Sequence, residues 1–248
     1  AGLFGNYIIG NKIGLNSTNS SGLSILGNGF QNNITAMKLA NIVSSTIKYN
    51  GIYGATTTGI DATGHNFLIA NNNFNNVSGD SVRIGNSFNV TVDKNTITNA
   101  YNGINMTAGN YNVAISNNDI TASNNGVSIT NSNLLRLKGN SIQGADVGLN
   151  LDNTNNVSVG GNNAADANEF KNNFFGISSQ DTNFTSVTNN DFFNGVVGME
   201  FDGDKNLTIK NNRLSNLDGG IGLFDVQGAP IKGNLFDDVY FGILALDG

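Results

Sequence analysis

The sequence predicts an all-β fold: a right-handed, single-stranded parallel β-helix of about eleven coils of 22–23 residues with internal asparagine ladders. Three observations predict it. Asparagine recurs at Asn6, Asn28, Asn50, Asn72, Asn95, Asn118, Asn140, Asn168, Asn190, Asn212 and Asn234, in steps of 22 or 23 residues except for 28 between Asn140 and Asn168. Two apolar columns run in register with that asparagine, and glycine stands just before the first of them in most repeats. A period of this length is one turn of a solenoid. If coils stack at the strand spacing of about 4.8 Å, each carboxamide donates to one neighbour and accepts from the other, so a buried polar column satisfies itself. The handedness rule for parallel connections makes the winding right-handed.

The first strand of each coil is marked by Ile13, Met37, Ile60, Val82, Ile104, Val127, Leu149, Ile177, Met199, Ile221 and Ile243. Two residues on come Leu15, Leu39, Ala62, Ile84, Met106, Ile129, Leu151, Ser179, Phe201, Leu223 and Ala245, the period-two alternation of a half-buried strand. The preceding glycines (Gly59, Gly103, Gly126, Gly148, Gly176, Gly198, Gly220, Gly242) read as hinges, where a corner demands positive φ or close backbone approach. A second short strand leads into the ladder, as in Asn89-Val90-Thr91-Val92, and Asn66, Asn89, Asn112 and Asn206 form a second polar corner. A third follows the ladder and buries Ile8, Phe30, Ile52, Phe74, Ile97, Ile120, Ile142, Phe170, Phe192, Leu214 and Phe236. Each large apolar side chain contributes about 1.5–3 kcal/mol on burial, against about 0.5–1.5 for a hydrogen bond. Apolar stacking therefore carries the stability, and the asparagines pin the register.

Composition narrows the function. Residues 1–248 read as one repeating domain, a segment of a longer chain, because the repeat runs to both ends without capping elements. A charged fraction of 12 %, a net charge of −6 and a pI near 4.5 argue against nucleic acid, which needs clustered Lys and Arg. No apolar run is long enough for a membrane span. An extracellular or cell-surface location fits, with polysaccharide as partner or self-association through the open β edges at the ends of the stack.

These strands and corners resemble the parallel β-helix repeat of the pectate-lyase-like superfamily over residues 6–248. The resemblance implies the fold, and for function a non-catalytic fibre, adhesin or scaffold segment, or alternatively a lyase, epimerase or hydrolase acting on an acidic glycan. In such enzymes substrate lies along one face of the rod. The outward column holds Gly14, Lys38, Asp61, Arg83 and Asn105, so Lys38, Asp61 and Arg83 stand on consecutive rungs, able to neutralise a uronate and supply acid and base. His65 lies four residues past Asp61 and Asp80 three before Arg83. Gly59-Ile60-Asp61-Ala62-Thr63 is similar to the Gly-Phe-Asp-Pro-His strand of uronan epimerases, without its Pro and His.

Glu169 and Asp191, with Arg213 beyond, form a second candidate: two carboxylates one rung apart match the separation of about 5 Å in a retaining glycosidase. The long repeat inserts Gly160 to Ala167 just before them. Late coils gather Asp181, Asp202, Asp204, Asp225 and Asp247, and Asp202, Asp204 and Asp225 are candidate oxygen ligands for Ca²⁺. Tyr53, Tyr101 and Tyr111 suit sugar rings.

Overall fold

The computed structural model describes residues 1–246. Its strands pair in parallel, each with the strand one coil before and one coil after, so the chain winds into three sheets around one core. In the first sheet Asp80–Ile84 sets Val82 opposite Ile60 and Ile104. In the second, Phe88–Asp93 sets Val92 opposite Ile69 and Ile115. In the third, Asn73–Asn75 sets Phe74 opposite Ile52 and Ile97. Val82, Val92 and Phe74 are fully buried, and rings stack where phenylalanines coincide, Phe170 on Phe192 at 4.8 Å and 4°. Some strands continue round a corner: Thr58–Ala70 serves the first and second sheets, and Thr96–Met106 the third and first.

The ladder is continuous from Asn6 to Asn234. Each Nδ2 donates to the next Oδ1 at 2.9–3.1 Å, and that oxygen also accepts the preceding asparagine's backbone N–H. The remaining amide proton goes to a carbonyl of the second sheet, as from Asn118 to Val92 at 3.0 Å. Four donors and acceptors per rung are thus paired away from water, which removes the penalty of burying amides.

The second polar corner also exists, but on the surface and running the other way: Asn112 donates to Asn89 at 2.7 Å and Asn89 to Asn66 at 2.9 Å. Its residues sit at φ of 53–55°, as at Asn66, Asn89, Asn112 and Asn206. Left-handed backbone costs most residues energy and asparagine little, so these corners account for much of the asparagine in the chain.

One reading needs correction. In the first coil Leu15, not Ile13, faces Met37, and Asn16, not Gly14, stands beside Lys38. Ile13 is apolar enough to pass for the core position, but its partner is Thr35 and it lies half-exposed at the edge of the strand. Of the two roles read for the first-sheet glycines, positive φ is found at none of them. They permit close approach: a Cβ on Gly103 would lie 2.3 Å from the carbonyl of Gly126, and one on Gly176 2.4 Å from that of Gly198 and 2.6 Å from the Phe192 ring.

Candidate functional site

The outer face of the first sheet carries the charged column the sequence singled out. The register sets Lys38 beside Asp61, Asp61 beside Arg83, and Arg83 beside Asn105. Alternation turns these side chains outward while Met37, Ile60, Val82 and Ile104 anchor each strand from beneath.

Arg83 and Asp61 form a two-point ion pair, Nε to Oδ1 at 3.0 Å and a terminal guanidinium nitrogen to Oδ2 at 2.8 Å. The hydrogen bond to Asp61 holds the Arg83 guanidinium above its ordinary pKa against partial burial, with the Asp61 and Asp80 charges adding to it. Asp80 accepts from Asn102 at 2.8 Å and Asn105 at 3.1 Å, and Asn124 donates to Asn102 at 2.9 Å. The face is therefore wired rung to rung by bidentate and amide bonds with fixed geometry. Lys38 is exposed and makes no ion pair or hydrogen bond among the described residues.

His65 is not brought to this pair. It lies past the corner on the second sheet, opposite Val43 and Phe88, with its ring stacked on Phe88 at 4.6 Å and 4°. Tyr111 continues the column, 53 % exposed. Tyr53 and Tyr101 are also exposed, and Tyr101 lines a cleft of about 490 Å³ with Asn76 and Asn99.

Glu169 and Asp191 do neighbour each other, on the outside of the third sheet, with Arg213 next in line. They border a shallow cleft of about 280 Å³. Arg213 reaches on to Asp237 at 3.8 Å instead of pairing with Asp191, and both of those partners are largely exposed. The insertion before Glu169 holds a short 3-10 turn, Ala164–Asp166, tied down by Lys138 to Asp166 at 3.3 Å.

The three calcium candidates point different ways. Asp202 is exposed at the end of the first-sheet strand Val197–Asp202, Asp204 is wholly buried, and Asp225 is exposed at a left-handed corner. Among the described residues no three His, Cys, Asp or Glu side chains are grouped to hold a metal, and Asp247 lies outside those residues.

Asp204 belongs to a feature the sequence reading missed. Ser87, Asn110, Ser132, Thr154, Thr182 and Asp204 form a second buried polar column, each two residues before a left-handed corner of the second sheet. Asp204 Oδ1 accepts the Thr182 N–H at 2.7 Å, while Oδ2 has no partner. Burial pushes the Asp204 carboxyl above the usual range against the pull of bonds from Ser179 and Thr182. The constant offset from the corner was the signal available in the sequence.

Comparison with known proteins agrees with this architecture. A family model described as a right-handed β-helix region matches residues 2–120 and 125–248, and one described as periplasmic copper-binding protein (NosD) matches residues 78–166. No curated protein matches by sequence. Among solved structures, the A-module of Azotobacter vinelandii mannuronan C-5 epimerase AlgE6 superposes with a TM-score of 0.72 at 13 % identity over 91 % of this chain and 65 % of that one. PfbA, a surface adhesin of Streptococcus pneumoniae, gives 0.66 at 16 % over 90 % and 70 %. The Dettilon tailspike protein gives 0.65 at 16 % over 96 % and 61 %. The chain thus spans less than two thirds of the epimerase module and of the tailspike. At these identities the likeness establishes the fold. Residues 78–166 do not fit copper: they contain no His or Cys, and their one methionine, Met106, is fully buried in the core.

Proposed function

Because the chain belongs to the right-handed β-helix family, we propose that it is a non-catalytic β-solenoid, outside the cytoplasm at a cell surface or in a periplasm, that binds polysaccharide along the outer face of its first sheet. The observation that carries this reading is the Asp61–Arg83 pair. Both carboxylate oxygens and two guanidinium N–H groups are committed to each other, and the Asp80 oxygens are taken up by two asparagine amides. A general base or a uronate clamp needs such groups free for substrate, whereas a fixed display of amide and hydroxyl groups suits the hydroxyls of a sugar chain. Repetition along the axis suits a ligand that itself repeats. A periplasmic family model and a surface adhesin among the structural neighbours support the location, and neighbours named as mannuronan and alginate epimerases support a polysaccharide as partner.

A second reading has one observation in its favour: Lys38, Asp61 and Arg83 do stand on consecutive rungs, and two of the structural neighbours are epimerases of alginate or mannuronan. On that reading the chain acts on an acidic glycan with Arg83 holding the carboxylate. One experiment separates them. Proton NMR of polyuronides and neutral polysaccharides incubated with the protein, beside affinity electrophoresis in gels of the same polymers, is expected to give retention with unchanged spectra. Unsaturated, inverted or reducing-end signals that vanish in Arg83→Ala would make it an enzyme. A protein that is neither retained nor active on any polymer would end both readings.

A further inference from the structure

The outer face of the first sheet is broken at one rung. In the column of Thr35, Thr58, Asp80, Asn102, Asn125, Val147, Phe175 and Val197, the next residue is Gly219, followed by Phe241. In the neighbouring outward column Glu200 is followed by Gly222 and then Leu244. One coil therefore lacks both outward side chains, leaving a notch of about 610 Å³, within the range of about 300–1,000 Å³ typical of small-ligand clefts. Val197 and Glu200 wall it on one side, Phe241 and Leu244 on the other.

Packing does not demand these two glycines. A Cβ on Gly219 would meet nothing nearer than a Val197 methyl at 3.6 Å, and one on Gly222 would meet the Phe224 ring at 3.1 Å, where a half-exposed ring can give way. Gly220 between them is the opposite case, with the Gly242 carbonyl 2.3 Å and the Phe236 ring 2.7 Å from its Cβ position. Neither Gly219 nor Gly222 has positive φ. Their missing side chains create the space without being required by the coil.

The notch has a definite chemistry. Tyr240 and Phe241 meet edge to face, ring centres 4.5 Å apart at 80°, and both are exposed. Opposite them stands the half-buried Glu200, with Asp218 at the rim, and the lining contains no Lys or Arg. Burial first, and the Asp202 charge second, push the Glu200 carboxyl above its usual range. An anionic sugar is repelled by this site. A pyranose without charge presents an apolar face to an aromatic ring and a pair of hydroxyls to a carboxyl.

We propose that the notch between Glu200 and Phe241 is a subsite for one uncharged pyranose unit, stacked on the aromatic wall and held by hydroxyl hydrogen bonds to Glu200. The proposal rests on the polysaccharide reading above and names the sugar class taken at this end of the face. The test is protein-observed NMR of the Tyr240 and Phe241 ring signals, titrated with the methyl glycosides of glucose, galactose, mannose and N-acetylglucosamine, with methyl glucuronide, and with tetramethylammonium. At least one neutral glycoside is expected to shift both rings saturably, and the glucuronide not to. Gly219→Phe fills the notch with a residue its own column already holds at Phe175 and Phe241, so it should fold as the parent does and weaken the affinity by about tenfold or more. Glu200→Gln keeps hydrogen bonding without charge and should hold affinity within about threefold.

Shifts by the glucuronide alone, by tetramethylammonium alone, or by none of the probes would overturn the proposal, as would equal binding by Gly219→Phe. Polymer retention in electrophoresis, read with Arg83→Ala as its own control, keeps the two readings apart. Retention without glycoside binding removes the subsite alone, and loss of both removes the polysaccharide reading with it.

Discussion

The coils around Asn50 and Asn72 and those around Asn190 and Asn212 are built alike inside and differently outside. Both pairs share the asparagine ladder, the same inward apolar positions and the same parallel register. On the earlier pair the outward column is Asp61 then Arg83, locked together and flanked by Asp80 with its two amides. On the later pair it is Glu200 then Gly222, with a notch where the side chain would be. Stacking constrains only what lies between coils, so each outward position is free to diverge from its neighbours above and below. In such a rod a functional site shows as a change down one column, not as a motif along the chain.

Changes placed inside and outside the coil test that division. Asn118→Leu should have the largest effect, because the Asn95 backbone N–H and Nδ2 both lose their acceptor while buried. Two unpaired donors at about 1–3 kcal/mol each predict a loss of several kcal/mol in urea unfolding. A loss under 1 kcal/mol would mean that the ladder does not pin the coils. Next comes a contrast between adjacent glycines. Gly220→Ala drives a Cβ into the Gly242 carbonyl and should cost about 1–3 kcal/mol, whereas Gly219→Ala should stay within about 0.5 kcal/mol. Equal melting temperatures for the two would erase the difference between required and dispensable glycine.

Asp204 gives a smaller effect with a definite sign. Its folded pKa is raised, so the folded chain holds a proton that the unfolded chain releases. Stability is then highest below the ordinary aspartate pKa of about 3.9 and falls as pH rises from there through the raised value, after which the penalty is complete. Glu200 adds a weaker trend of the same sign, being partly open to solvent. Asp204→Asn removes the buried charge and is expected to raise stability at neutral pH by about 1 kcal/mol and to flatten the profile, checked by thermal melts across pH. An unchanged slope would assign it to another group. Smallest is Arg83→Ala, at most about 1 kcal/mol in urea unfolding because the pair is partly exposed. A large loss of stability there would make the outer face part of the scaffold and dissolve the contrast.

The interior was largely readable from the chain because one requirement repeats. Asn72, Asn95 and Asn118 must each satisfy an amide at the same place, and Ile60, Val82 and Ile104 must each fill the same layer. Apolar identity alone misled at Ile13, where the offset of nine from the ladder asparagine that most coils keep pointed to Leu15. Outside, adjacency followed from the period, so Asp61 beside Arg83 and Glu169 beside Asp191 were both foreseen. What the groups do with each other was not. His65 is four residues from Asp61, yet a corner turns it onto Phe88. Asp202 and Asp204 differ by two residues, but a left-handed Gly203 between them sends one outward and one into the core. The notch left no mark of its own, since Gly219 and Gly222 stand beside a glycine that the coil does require.

The direction of the inner ladder has a consequence for how such a chain comes into being. From Asn6 to Asn212 every ladder asparagine gives its backbone N–H and one Nδ2 proton forward, to the coil that follows it in sequence. A coil is thus completed only by its successor. As the polypeptide emerges amino-terminus first, each new turn lays its carboxamide oxygen over the waiting N–H groups of the last one and exposes a fresh set in their place. Coils added in that order leave an advancing front one coil deep at any length.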